Sequence, residues 1–85
     1  MATYRILYWQ EVPSQIAASD DQDDVTLEMP PRFMDRIDHL AAKRGLQASD
    51  DYLAQWRWSD DMERDGSARE VAEAIRTQLE AEADW

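Results

Sequence analysis

Apolar side chains alternate along the first dozen residues. From Thr3 to Val12, Tyr4, Ile6 and Tyr8 share one face of an extended segment, with Leu7 and Trp9 on the other. Apolar groups on both faces predict a central strand, ended at Pro13, where the ladder would lose a donor. Ser14 to Ser19 reads as a weaker strand. Val25, Leu27 and Met29 alternate with Thr26 and Glu28, so a third strand would close a hairpin across Asp20-Asp21-Gln22-Asp23-Asp24. The period then changes. After Pro30-Pro31, the positions Phe33, Ile37, Leu40 and Arg44 form one helical stripe, and Gly45 is placed to end that helix with Leu46 folding back.

Ser49-Asp50-Asp51 predicts an N-cap and a short helix through Tyr52 and Leu53. Tyr52, Leu53 and Trp56 could continue that helix, whereas Trp56, Trp58 and Met62 alternate like a strand with Arg57 on the opposite face, and aromatic density favours the strand. Asp65-Gly66 signals a turn, and Ser67-Ala68-Arg69-Glu70 fits a capping box. Val71, Ala74, Ile75, Gln78 and Leu79 give the last helix a narrow apolar stripe, and an acidic tail over 80–85 is expected to fray. The order of elements argues for an α+β fold: a small antiparallel sheet of three to four strands with two main helices packed on one face.

Eighty-five residues predict a single domain over 1–85, and one so small buries only about 60% of its unfolded surface. Its core must therefore rest on a few large side chains: Tyr4, Ile6, Tyr8, Trp9, Phe33, Ile37, Leu40, Trp56, Trp58, Ile75 and Leu79. Cysteine is absent, which removes disulfides, thiolate metal sites and a thiol nucleophile. The longest bulky apolar run is Ile6-Leu7-Tyr8-Trp9, far short of the ~20 residues that span a bilayer. A cytoplasmic location is the expectation. The net charge of −10 repels phosphate backbones and anionic lipid, so neither nucleic acid nor membrane is expected as a partner. It suits docking onto a basic protein partner, and self-association stays open.

Catalytic groupings do not assemble in the sequence. His39 lies four residues after Asp35 and beside Asp38, but with no second histidine and no cysteine it reads as a helix-surface residue. The serines Ser14, Ser49 and Ser67 fall at turns and caps. The Asp20–Asp24 run fails as a calcium loop, since Val25 stands where the turn needs glycine. Two glycines cannot build a phosphate loop. No catalytic residue, metal site or cofactor is expected, and the chain reads as non-enzymatic. The aromatic residues carry the remaining signal. Trp9, Trp56, Arg57 and Trp58 are the candidate binding residues, because tryptophan and arginine dominate interface hot spots. The alternative buries the rings as core, with Arg57 over an indole. Both hold if one sheet face is core and the other docks.

Tyr8-Trp9, Val12-Pro13, Pro31-Arg32-Phe33, the run Tyr52 to Trp58, and Glu63 to Ser67 together resemble the small bacterial virulence factor domain. They also resemble the C-terminal part of the conserved virulence factor C proteins, where it follows a helical-repeat region. The resemblance covers nearly the whole chain. It implies no reaction or catalytic residue. It implies a small accessory protein, a subunit or helper of one-carbon and corrinoid methyl-transfer enzymes, or else a subunit that binds a pterin- or corrinoid-type cofactor on its indoles.

Overall fold

The computed structural model describes residues 1–85. The chain runs β1 (Ala2–Trp9), β2 (Val12–Ser19), β3 (Asp24–Glu28), α1 (Pro31–Lys43), α2 (Ser49–Leu53), β4 (Trp56–Trp58), β5 (Met62–Arg64) and α3 (Ala68–Glu82). The sheet is antiparallel, with β3, β2 and β1 side by side and both β4 and β5 on the remaining edge of β1. The fold is α+β, with β1 central as its two apolar faces require.

Four segments pair along the sheet, but the last is cut in two. β4 lies opposite Leu7–Trp9 and β5 opposite Ala2–Tyr4. Ser59 bridges the gap. Its backbone N–H donates to the Ile6 carbonyl at 2.8 Å, while its hydroxyl accepts the Ile6 N–H at 2.8 Å. A side chain thus replaces the ladder carbonyl that the irregular segment cannot supply, and the buried amide of Ile6 stays satisfied.

The first turn differs from the sequence expectation. Pro13 does not end β1; it lies inside β2, opposite Tyr8. The turn is Gln10-Glu11, with Gln10 at φ 53°, and Trp9 pairs directly with Val12. Ser14 is the extra residue of a bulge, since Leu7 pairs with Gln15 and Tyr8 with Pro13. Proline is tolerated at such a bulge. β3 reaches only as far as Gln15, so Pro13 has no second strand to feed. The tight turn then becomes a junction. Gln10 N–H donates to the Gln55 carbonyl at 3.2 Å, and Arg44 donates to Gln10 Oε1 and forms an ion pair with Glu11 at 2.6 Å.

Pairing sorts the sheet into two faces. Tyr4, Ile6 and Tyr8 lie with Ile16, Ala18, Val25 and Leu27, and this face is covered by α3 and α1. Its core joins Ile6, Ile16 and Ala18 to Phe33, Ile37 and Leu40 of α1 and to Val71, Ala72 and Ile75 of α3. The opposite face carries Thr3, Arg5, Leu7, Ala17, Ser19 and Thr26, and most of these are exposed.

The caps follow the sequence at two ends. Gly45 takes φ 70°, with the Leu46 N–H donating to the Ala41 carbonyl at 2.8 Å and the Gly45 N–H to the Ala42 carbonyl at 3.3 Å. This is the Schellman arrangement that ends α1. At α3, Glu70 N–H donates to Ser67 Oγ at 3.2 Å and Ser67 N–H to Glu70 Oε1 at 3.1 Å, the reciprocal capping box. At α2 the expectation fails: Ser49 is inside the helix, and the N-cap position is Ala48, with no side-chain cap. α3 stays helical to Glu82, and Trp85 packs on the edge of Phe33 with ring centroids 4.6 Å apart.

The acidic hairpin tip is more than solvated charge. Asp20 Oδ1 accepts the N–H groups of Gln22 and Asp23, each at 2.7 Å, and Oδ2 accepts that of Ala68 at 2.7 Å. The carboxylate therefore ties the β2–β3 tip to the start of α3. These donors, Ala68 foremost, hold its pKa below the ordinary carboxylate value. A lowered folded-state pKa means that the stabilisation is present above the unfolded value and lost as pH falls through the folded one. Asp20→Ala should lower Tm at neutral pH and flatten the decline of Tm that the native chain shows below about pH 4. Ser67→Ala should cost about 1 kcal/mol in urea unfolding.

Candidate interaction surface

Strand β4 carries three of the four candidate residues, and its pairing decides where each points. Trp56 lies opposite Trp9, Arg57 opposite Tyr8, and Trp58 opposite Leu7. Adjacent residues alternate between faces, so Arg57 is separated from both indoles. The segment cannot form one site.

Trp9 belongs wholly to the interior, at 0% exposure. Its indole Nε1–H donates to the Tyr52 carbonyl at 3.0 Å, which satisfies the one polar atom the ring carries. Tyr52 of α2 lies beside it, centroids 5.6 Å apart, and meets Trp56 edge-on at 6.0 Å. Burial pushes the Tyr52 phenol up, with Asp38 adding to the effect. α2 thus closes the hairpin end of the sheet face on which Trp9 sits. Trp56 is half-buried at its margin, beside Gln15, Glu28 and Met34.

Trp58 departs from its expected place in the core. It is 40% exposed, on the same sheet face as Trp9 but beyond the end that α2 closes. Arg5, two residues before Leu7 and on the same face, places its guanidinium carbon 4.3 Å from the Trp58 ring centroid. Leu7 lies beside them, half-buried. Arg57 does not lie over an indole. It stacks on Tyr8 on the other face, 5.6 Å from the ring centroid, and reaches the Gln10 carbonyl at 3.5 Å. Burial raises the Tyr8 pKa first and Glu82 adds to it, while Arg57 works in the opposite direction.

A common pattern emerges among the cations. Arg5, Arg32, Arg36 and Arg57 stack on aromatic rings. Ion pairs engage only Glu11, with Arg44, and Glu73, with Arg69, out of nineteen acidic side chains. The acidic surface is left largely uncompensated. The sheet also gathers acid at one end, because β5 and the β2–β3 tip flank the Thr3 end of β1. His39 stands exposed on α1, and no group of histidine, aspartate and glutamate side chains is placed to hold a metal ion. No helix is long and apolar enough to cross a membrane.

Arg5 and Ser59 carry roles that sequence reasoning did not assign. The signal for Arg5 was its parity with Leu7, but only the register with Trp58 turns parity into contact. Replacement separates the interior indole from the surface one. Trp9→Ala should cost about 3–5 kcal/mol in denaturant unfolding, whereas Trp58→Ala should cost about 1 kcal/mol or less.

Against this geometry, comparison with known families gives one match. A family model described as virulence factor matches residues 7–84, so the chain belongs to the virulence factor family. Searches of curated proteins and of solved structures found no match.

Proposed function

We propose that this member of the virulence factor family is a non-enzymatic protein-interaction module that docks a partner on the open sheet face around Trp58. The observation that carries the reading is the exposed Trp58 indole, pre-oriented by Arg5 and flanked by Leu7 on the part of the sheet face that α2 does not reach. A rigid aromatic anchor beside an arginine is the composition of an interface hot spot. Because the surrounding carboxylates have few internal partners, the fitting surface on the other protein is basic at its rim. Trp9 supports the module from inside, Trp56 bounds the docking face, and Arg57 belongs to the opposite side.

Within this reading, the family resemblance points to a small cytoplasmic accessory subunit of one-carbon and corrinoid methyl-transfer enzymes. A second reading, a subunit binding a small molecule or a pterin- or corrinoid-type cofactor, draws on a groove of about 430 Å³ with Tyr8, Leu79 and Trp85 in its walls.

Affinity capture with the native chain, Trp58→Ala and Arg57→Ala distinguishes the faces. The expected partner is recovered by the native chain and by Arg57→Ala, is lost with Trp58→Ala, and binds at least tenfold more weakly as salt rises from low to physiological levels. Retention by Trp58→Ala would remove the open face from consideration. Quenching of tryptophan fluorescence by a pterin or corrinoid without any protein partner would favour the second reading.

A further inference from the structure

A second aromatic site lies away from the open sheet face, on α1, and the chain itself shows what fits it. Beyond the end of α3, Trp85 leans edge-on against Phe33 at 4.6 Å between ring centroids, with an interplanar angle of 71°. Two arginines one helical turn apart flank the ring, with the Arg32 guanidinium carbon 5.9 Å and that of Arg36 5.5 Å from its centroid. Arg32 also stacks on Phe33 at 5.2 Å. The spacing of 32 and 36 puts both cations on one side of the helix, and Phe33, under the Arg32 guanidinium, supplies the apolar seat beside them. The residues that bring the indole there are acidic, with Glu82 and Asp84 preceding Trp85.

The fit is incomplete. Trp85 stays 39% exposed, and Arg36 Nε is buried with no acceptor. The segment satisfies the aromatic seat and leaves a donor unmet, which a better-placed carboxylate or carbonyl would accept. Beyond the indole, the apolar bed continues along Leu40 and Leu79 to Tyr8. The overall charge does not forbid an acidic ligand at the seat itself, since at physiological salt fields fade over about 8 Å and two guanidinium groups flank the ring there, while the acidic Glu11, Glu82 and Asp84 line the groove beside it.

We propose that Arg32, Phe33 and Arg36 form a binding site for an acidic peptide segment bearing an aromatic residue, occupied in the free protein by the chain's own Trp85. A partner segment of that chemistry displaces Trp85 and extends along the groove. The site is independent of the open face around Trp58.

The probe is a capped peptide with the sequence of residues 82–85, titrated by calorimetry into the native chain and into Trp85→Ala. The vacated site should bind it at least tenfold more tightly than the native chain, where Trp85 competes. A peptide with alanine in place of tryptophan should not bind. Adding Arg36→Gln to Trp85→Ala should weaken binding about tenfold or more. In the native chain, the Trp85 indole N–H resonance should move toward its free-peptide position as peptide is added, a readout that does not depend on how the variants fold. Equal affinity for both chains, no binding to folded Trp85→Ala, or an unmoved Trp85 resonance at saturating peptide would each overturn the proposal.

Discussion

The placement of Trp9 governs the architecture more than any other interaction. A fully buried indole at the last position of β1 needs a hydrogen-bond acceptor, and it finds one in the Tyr52 carbonyl at 3.0 Å. That bond brings α2 over the hairpin end of the sheet. It also fixes the strand that follows α2, because β4 enters with Trp56 opposite Trp9. Once that pair is set, the two-residue period of a strand leaves no freedom. Arg57 must face the helices and Trp58 must return to the face of Trp9, now beyond the cover of α2. The exposure of Trp58 is therefore a consequence of the burial of Trp9.

Electrostatics takes an unusual form in so acidic a chain. Its arginines are drawn to rings more than to carboxylates, with Arg5 on Trp58, Arg57 on Tyr8, and Arg32 and Arg36 about Trp85. A flat guanidinium sheds little hydration when it stacks, and it keeps its edge donors free. The arrangement shields large rings on a small surface and leaves the acidic groups to define the outer field. The two proposed sites, one for a basic partner and one for an acidic aromatic segment, lie on different patches, each dictated by local chemistry.

Sequence periodicity reached some of this and missed the rest for identifiable reasons. The α1 stripe of Phe33, Ile37 and Leu40 was legible because it repeats locally and is punctuated by Pro30-Pro31 and Gly45. The α3 capping box at Ser67 and Glu70 is likewise a local pattern, as is the alternation through Val25 and Leu27. The first turn was misplaced because Pro13 has two structural meanings, a strand terminus or a bulge, and the choice rests on how far β3 extends. Trp58 fits both the core and a binding surface by its pattern alone, and the choice depends on where α2 stops. Asp20 and Trp85 act on residues far away in sequence, Ala68 and Phe33, and no spacing rule announces such contacts. The family, by contrast, was legible in short motifs such as Tyr52 to Trp58, which mark descent without stating what the residues do.

Ser59 has a further effect that concerns how such a chain can change over generations. By answering Ile6 with a hydroxyl as well as a backbone amide, it divides the outer edge of the sheet into two separately anchored segments. A residue gained or lost at Asp60-Asp61 alters the path into β5 and stops at the serine. Trp56, Arg57 and Trp58 keep their faces, because their register is set from the Trp9 side. The acidic connection can thus vary in length and composition while the aromatic strand stays in phase.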